Sequence, residues 1–171
     1  MVTLNKDLID RLKSSIQFFD DFTDDELIAF LKLMKTEQYL EDAAIFKEFE
    51  EGDTMYIILK GEVKIHRRMG KKNGIDQDTI LAKLNAGECF GEIGLIDRRA
   101  RSASATAVTK TLLFTISHDT LFKVSINQNY SRLTAKLYRN FSKMLARRLR
   151  ESNDKLVDLS FKAQDKSELK S

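Results

Sequence analysis

The sequence has no proline and no tryptophan, and Cys89 is the only cysteine among its 171 residues. A single cysteine excludes an internal disulfide and fits a reducing compartment. Without proline the chain has no stiff linker and no PxxP recognition segment. No apolar run approaches the roughly 20 residues that span a bilayer, and the N-terminus lacks the apolar run of a signal peptide. We therefore expect a soluble, cytoplasmic protein without membrane contact.

The charge and the inventory of reactive side chains exclude several further classes. The formal net charge of +3 is small and mixed, so it indicates no polyanionic partner. The two histidines, His66 and His118, and Cys89 cannot form a zinc site without carboxylates at ligand spacing. The sequence also lacks a nucleophile elbow and a Walker loop. We expect no metal and no catalytic residues, and 42% hydrophobic content is sufficient for one compact core.

The N-terminal region has the apolar spacing of two helices. One helix face is formed by Leu4, Leu8, Ile9 and Leu12. Thr23 and Glu26 have the spacing of a capping box, in which each side chain bonds the backbone N–H of the other residue. They predict the start of a second helix.

From Gln38 onward, short apolar runs alternate with turn residues, as in an antiparallel all-β body. We expect strands at residues 45–46, 55–59, 63–66, 79–84, 102–109 and 112–117. Arg67 to Asp78 is polar and basic, which predicts a solvated hairpin tip. Gly52, Gly61 and Gly87 are expected in the turns between strands. A short helix should follow a cap at residues 118–120.

A long helix is predicted from about Tyr130 to Phe161. Six of its positions step by four, four, three, four and three residues, and the last five indicate the seam of a coiled-coil homodimer; they are Phe141, Leu145, Leu149, Ser152, Leu156 and Leu159. Ser152 is the polar member of this seam. It either sets the register of the two helices or contacts a ligand.

The most informative segment is Phe90 to Ala105, which we call the cassette. Gly91 and Gly94 allow backbone to approach a ligand closely, and a helical turn after Gly91 points N–H groups at negative charge. Arg101 supplies a cation. The carboxylate of Glu92 would repel a phosphate unless it had another partner, and a sugar hydroxyl is such a donor. These features together predict a nucleotide site.

The cassette resembles the phosphate-binding cassette of the cyclic nucleotide-binding domain family. The shared pattern is Phe-Gly-Glu, apolar positions around a small residue, a short loop, and Arg before a small residue. The loop departs from the family by having Arg98-Arg99-Ala100 where Gly or Pro is usual. The resemblance implies a mainly β fold with flanking helices, in which an antiparallel jelly-roll β-barrel carries N-terminal helices and a long C-terminal dimerisation helix.

The resemblance also implies roles for individual residues. Arg101 and Ser102 would hold the cyclic phosphate with the N–H groups near Gly94 and Leu95, and Glu92 with the Gly91 backbone would bind the ribose. Ser152 and Asn153 would cap the base, because residues 145–155 resemble the C-helix of the catabolite activator type. The complete predicted ligand-binding set is Gly91, Glu92, Ile93, Gly94, Leu95, Arg101, Ser102, Ala103, Ser152 and Asn153.

The resemblance covers about residues 18 to 161 and includes members of the kinase regulatory subunit type. It divides the chain into a binding domain at 1–128, a dimerisation helix and base lid at 129–161, and a polar tail at 162–171. The tail has no room for a helix-turn-helix, so we expect no direct contact with nucleic acid. The hinge before the lid is expected at Val124 to Asn129.

The sequence therefore predicts a cyclic nucleotide sensor that binds cAMP in preference to cGMP and moves its C-terminal dimer helix. Ser102 leaves the choice of base open, because its hydroxyl suits either nucleotide. Two alternatives also remain open. One is a dimerisation module with a vestigial pocket, and the other is a regulatory fragment of a larger effector protein.

Overall fold

A computed structural model describes residues 5–72, 75–127 and 130–168. It begins with helix α1 (Lys6–Ser15), a 3-10 turn (Gln17–Phe19) and helix α2 (Asp24–Leu31). The predicted capping box is confirmed: the Glu26 N–H donates to Thr23 Oγ1 at 3.3 Å, and the Thr23 N–H donates to Glu26 Oε2 at 2.8 Å. Leu4, at the predicted start of the first helix, lies outside the described residues.

The N-terminal helices share a cluster of buried phenylalanine rings. The ring centroids of Phe18, Phe19, Phe22 and Phe30 lie 5.7 to 6.2 Å apart. All four side chains are at most 6% exposed. These aromatic residues are therefore core residues, because edge and tilted ring contacts at this distance stabilise a packed interior.

The body consists of two four-stranded antiparallel sheets. The strands are β1 (Lys35–Tyr39), β2 (Ala44–Phe46), β3 (Thr54–Lys60), β4 (Glu62–Lys72), β5 (Ile75–Asn85), β6 (Cys89–Phe90), β7 (Ser104–Ala107) and β8 (Thr111–Ser117). One sheet has the order β1-β8-β3-β6 and the other has the order β2-β7-β4-β5. Side chains from both sheets form one core cluster, made of Tyr56, Ile58, Val63, Leu84, Phe90, Ala105 and Leu113. The predicted antiparallel β-body is confirmed.

The sheets differ from the prediction at the β4–β5 hairpin and in two strands that were not predicted, β1 and β6. Strands β4 and β5 pair from Glu62↔Asn85 to Lys72↔Ile75, so most of the expected hairpin tip at 67–78 is ladder. Backbone pairing overrides the polar composition there, and Asn73 and Gly74 lie outside the described residues. Strand β1 was not predicted, because its sequence Lys-Thr-Glu-Gln-Tyr is polar and none of its residues is fully buried.

Helix α3 (Glu92–Asp97) lies between β6 and β7, and two further helices follow the sheets. Helix α4 (His118–Ser125) is capped by Ser117, one residue before the predicted cap, and the Ser117 Oγ accepts from the Thr120 N–H at 3.4 Å. Helix α5 runs from Ser131 to Glu168, past the predicted end at Phe161. The chain forms two compact units, Met1–Thr134 and Ala135–Ser171. Among the described residues, no helix has the length and apolar content needed to cross a bilayer.

Candidate anion-binding site

The predicted helical turn of the cassette is helix α3 (Glu92–Asp97), which follows β6 directly. Gly91 precedes it with a φ of +76°, in the left-handed region that glycine adopts without strain. A Cβ at this position would lie 2.8 Å from the Thr54 carbonyl oxygen and 3.0 Å from Arg101 Nη1. Position 91 therefore requires glycine for its backbone conformation and for the space beside Arg101.

Arg101 is anchored at its backbone and at both terminal nitrogens of its side chain. Its N–H donates to the Glu50 carbonyl at 2.8 Å, and its carbonyl accepts from the Phe49 N–H at 2.9 Å. Nη2 donates to the Thr54 carbonyl at 2.8 Å, and Nη1 donates to the Gly91 carbonyl at 3.2 Å. These contacts hold the guanidinium between strand β3 and the start of α3.

The guanidinium of Arg101 is buried and forms no ion pair among the described residues. Arg101 is 6% exposed, and none of the ion pairs among the described residues involves it. Its Nε is buried and has no hydrogen-bond partner. Burying a cation and an unbonded donor is costly unless an anion compensates them. The arrangement therefore suits a bound anion.

Three glycines leave the space that the guanidinium occupies. A Cβ at Gly52 would lie 2.4 Å from Arg101 Nε, and a Cβ at Gly94 would lie 3.1 Å from Nη1. Gly91 is the third member of this group, which we call the glycine cradle. Gly52 was predicted as a turn residue, but its closest constraint is the side chain of Arg101. A Cβ at Gly52 would displace the guanidinium, and a Cβ at Gly91 or Gly94 would crowd both Nη1 and a backbone carbonyl.

Aromatic rings line the other side of Arg101. The guanidinium carbon lies 4.2 Å from the ring centroid of Phe46 and 5.7 Å from that of Tyr56. Burial raises the pKa of the Tyr56 hydroxyl, and the nearby positive charge of Arg101 opposes that rise. Tyr56 thus stays neutral near neutral pH and offers no negative charge to Arg101.

Of the predicted cassette residues, Gly91 and Gly94 lie against the Arg101 side chain, and the others differ in burial. Glu92 and Leu95 are at most 1% exposed, and Ala103 is 7% exposed, whereas Ile93 is 51% exposed. Ser102, next to Arg101, is exposed. The Leu95 N–H, which was assigned to the phosphate, donates to the Gly91 carbonyl at 3.3 Å.

The two residues predicted to cap the base lie in the second compact unit. Ser152 and Asn153 are exposed residues in the middle of helix α5. Their contact with a ligand stays a prediction.

Four residues that lie against the side chain of Arg101 were not predicted as site residues: Phe46, Gly52, Thr54 and Tyr56. Thr54 contributes its main-chain carbonyl, which every residue type has, so its sequence gives no signal. Phe46 has the apolar character of any strand residue. Gly52 was noticeable in the sequence as a glycine before Asp53, but this pair was interpreted as a turn and not as part of a binding site.

The fold and the site define a β-sandwich domain that holds a buried arginine in a glycine cradle, which is an arrangement for binding an anionic ligand. The family profile of the cyclic nucleotide-binding domain matches residues 36–127, which is more than half of the chain. The chain belongs to this family, and the resemblance seen in its cassette is confirmed.

Similar proteins include transcriptional regulators and kinases. The chain is 28% identical over 155 residues to the CRP-like cAMP-activated global transcriptional regulator of Mycobacterium tuberculosis; the match covers 90% of this chain and 64% of the regulator. It is 33% identical over 93 residues to human cGMP-dependent protein kinase 2, covering 54% of this chain and 12% of the kinase. The chain thus spans less than two thirds of the regulator's length.

Solved structures confirm the predicted jelly-roll architecture. The crystal structure of a cyclic nucleotide-binding domain from Methylobacillus flagellatus superimposes with a TM-score of 0.75 at 26% identity, covering 87% of this chain and 84% of that one. The fold is therefore a jelly-roll β-sandwich with flanking helices and a long C-terminal helix.

Proposed function

We propose that this chain is a non-catalytic sensor that binds cAMP in the glycine cradle and transmits its occupancy through helix α5. The observation that carries the proposal is the buried guanidinium of Arg101, whose Nε has no hydrogen-bond partner and which takes part in no ion pair among the described residues. A cyclic phosphate supplies the missing negative charge and an acceptor for Nε. The cost of burying Arg101 is then offset when the ligand binds.

The cyclic phosphate receives its contacts from Arg101, the exposed hydroxyl of Ser102 and the N–H of Gly94. Nη1 and Nη2 each keep one N–H besides the one that donates to the carbonyl of Gly91 or Thr54, and Nε has no partner, so the guanidinium retains N–H donors for the phosphate. The carboxylate of Glu92 and the Gly91 backbone bind the ribose. Ile93, Leu95 and Ala103 complete the ligand contacts of the cassette.

Transmission requires that the ligand favour one arrangement of the chain over another. In our proposal Ser152 and Asn153 contact the base, so that ligand binding favours the arrangement in which α5 covers the pocket. The segment from Val124 to Asn129 acts as the hinge, of which Gln128 and Asn129 lie outside the described residues. Binding energy at the base is thereby converted into a preference for one helix position.

Helix α5 also has the features of a homodimer contact. The seam residues Leu149 and Leu156 are 63% and 62% exposed. Large apolar side chains at helical spacing gain stability when a second helix covers them. We propose that two copies of the chain pair through this face and that the partner receiving the signal is a further effector protein or domain.

The preference for cAMP over cGMP is part of the proposal. The regulator from Mycobacterium tuberculosis is cAMP-activated and the human kinase is cGMP-dependent, so similarity supports both ligands. Ser152 and Asn153 are the residues that would distinguish an adenine from a guanine. The Ser102 hydroxyl contacts the phosphate whichever base is bound.

Thermal unfolding with added nucleotide tests the proposal directly. At one hundred times its Kd, a ligand that binds only the folded state adds about 2.7 kcal/mol to the free energy of unfolding. We expect cAMP to raise the Tm by several degrees, cGMP to raise it less, and 5′-AMP at equal concentration to leave it unchanged. An unchanged Tm with millimolar cAMP and millimolar cGMP would contradict a cyclic nucleotide site.

A further inference from the structure

Three aromatic side chains form a packed group on one side of Arg101. The rings of Tyr56 and Phe90 stack with centroids 4.9 Å apart at an interplanar angle of 12°. Phe46 lies against both, at 5.6 Å from Tyr56 and 5.9 Å from Phe90. Within this group the Phe46 ring is the closest to the guanidinium carbon, at 4.2 Å against 5.7 Å for Tyr56.

The contact with Phe46 supports the guanidinium in a direction that its hydrogen bonds do not. The bonds from Nη1 and Nη2 to the carbonyls of Gly91 and Thr54 hold the end of the side chain. A ring beneath the planar cation opposes its tilting, since the negative face of the ring attracts the positive charge. This attraction is stronger where water is excluded, and Arg101 is 6% exposed.

An aromatic ring beside Arg101 leaves the charge and the N–H groups of the guanidinium free for a ligand, whereas a carboxylate would occupy them. Phe46 has no polar side-chain atom, so it takes none of the N–H groups of Arg101 and does not cancel its charge. A carboxylate at this place would hold the guanidinium equally well, but it would compete with an incoming phosphate. An aromatic support therefore fixes the orientation of Arg101 and leaves both its charge and its Nε available.

From this geometry we infer that Phe46 is a positioning residue, which sets the plane of the Arg101 guanidinium for the phosphate of the ligand. The inference rests on the proposed cyclic nucleotide site. Phe46 acts through Arg101 and does not itself contact the phosphate. Its effect on ligand affinity should therefore depend on the presence of the guanidinium.

The variants Phe46→Leu and Phe46→Tyr separate the ring from simple apolar volume. Leucine keeps an apolar side chain but lacks a π face, whereas tyrosine keeps the ring. We expect Phe46→Leu to weaken cAMP binding about tenfold in calorimetry and Phe46→Tyr to change it less than about twofold. Phe22→Leu is the matched control, because it removes a buried ring from the phenylalanine cluster of the N-terminal helices.

A second measurement needs no ligand. In an NMR spectrum of the arginine Nε–H groups, the Arg101 signal is identified by its loss in Arg101→Lys. The ring current of Phe46 should displace this signal in the wild-type chain. Phe46→Leu should move it substantially toward the position of solvated arginines, while Phe46→Tyr should leave it in place.

The two measurements keep this inference apart from the proposed function. If wild-type chain bound no cyclic nucleotide, the proposed function would fail, and the NMR signal would still decide whether Phe46 orients Arg101. If cAMP binds and Phe46→Leu weakens it only while Arg101 is present, the inference is supported. Three results would overturn the inference. Phe46→Leu could weaken cAMP binding equally in the Arg101→Lys background, Phe22→Leu could weaken it as much as Phe46→Leu does, or the Arg101 Nε–H signal could keep its position in Phe46→Leu.

Discussion

Gly52 lies directly against the side chain of Arg101. An alanine Cβ at position 52 would stand 2.4 Å from Nε, 2.6 Å from Cδ and 2.8 Å from Cζ of that arginine. All three are side-chain atoms, so the side chain, and not the backbone, would have to move. The absence of a side chain at position 52 thus determines where the positive charge of the site can lie.

The variant Gly52→Ala should therefore reduce ligand affinity more than it reduces folding stability. The displaced guanidinium no longer faces the phosphate, whereas the backbone around position 52 can stay in place, because only side-chain atoms of Arg101 meet the added Cβ. We expect cAMP affinity to fall at least about tenfold in calorimetry.

Gly94→Ala provides the contrast for this experiment. A Cβ at position 94 would lie 2.6 Å from the Gly52 carbonyl oxygen, which is a backbone atom. It should lower both the free energy of unfolding in urea and the affinity. If Gly52→Ala bound cAMP as tightly as the wild type, the steric role of the glycine cradle would be wrong.

Ser152→Ala tests the proposed contact with the base. Loss of one hydrogen bond to the ligand should weaken cAMP binding about five- to tenfold and weaken cGMP binding less, so the preference for cAMP narrows. Competition of both nucleotides against a fluorescent analogue measures the ratio. Ser160→Ala is the matched control, because the Ser160 Oγ donates to the Val157 carbonyl of its own helix at 2.7 Å. Equal losses for the two nucleotides would argue against base recognition by Ser152.

The pairing of two α5 helices is tested by placing charge on their exposed apolar face. The double variant Leu149→Lys and Leu156→Lys puts two cations where leucines are 63% and 62% exposed. Repulsion across a seam should shift a dimer to monomer in sedimentation velocity. Lysines at Asp154 and Asp158 alter the same helix outside the predicted seam and should leave the mass unchanged. A wild-type chain that is monomeric at high concentration would refute the pairing.

The acid stability of the N-terminal helices should depend on Asp24. Its carboxylate accepts from Lys6 Nζ at 2.6 Å and from Lys13 Nζ at 3.1 Å, and these bonds hold the pKa of Asp24 below its ordinary value of 3.8. The pKa of Asp24 is lower in the folded state than in the unfolded state. Its ion pairs therefore stabilise the folded state above about pH 4, and this stabilisation is lost as the pH falls through the folded-state pKa.

Urea unfolding across this pH range measures the effect. Asp24→Asn should be less stable than wild type at pH 6 and should lose less stability on acidification, since it has no carboxylate to protonate. High salt should reduce the difference, because these groups are solvent-exposed and screened. Asp25→Asn, in the same helical turn, is the control. Parallel stability curves for wild type and Asp24→Asn would show that this ion pair contributes nothing.

Features of the fold that depend on the side chains of one short segment could be predicted from the sequence. The capping box of Thr23 and Glu26 and the helical turn after Gly91 were predicted because each follows from one short segment. The polar strand β1 was missed, since its register against β8 is set by residues more than 70 positions away. Long-range pairing of this kind leaves little trace in the strand's own sequence.

In the site, too, residues required for their side chains were predicted, and residues that act through the backbone or through long-range contacts were not. Arg101, Gly91 and Gly94 were found because their residue types are required there. The Thr54 carbonyl was not predictable, because a main-chain acceptor imposes nothing on the side chain. The interpretation of Gly52 as a turn residue was incomplete for a related reason: only the folded chain places it against a residue 49 positions later.

Calorimetric titration of cAMP into wild-type chain and Arg101→Leu tests the central claim most directly. Leucine removes the positive charge and the Nε donor while keeping an apolar side chain beside Phe46, and circular dichroism verifies that the variant folds. Loss of one partner of a buried charge pair costs about 2 to 5 kcal/mol, so affinity should fall about thirtyfold or more. Unchanged cAMP affinity in Arg101→Leu would contradict the account of Arg101 as the phosphate-binding residue.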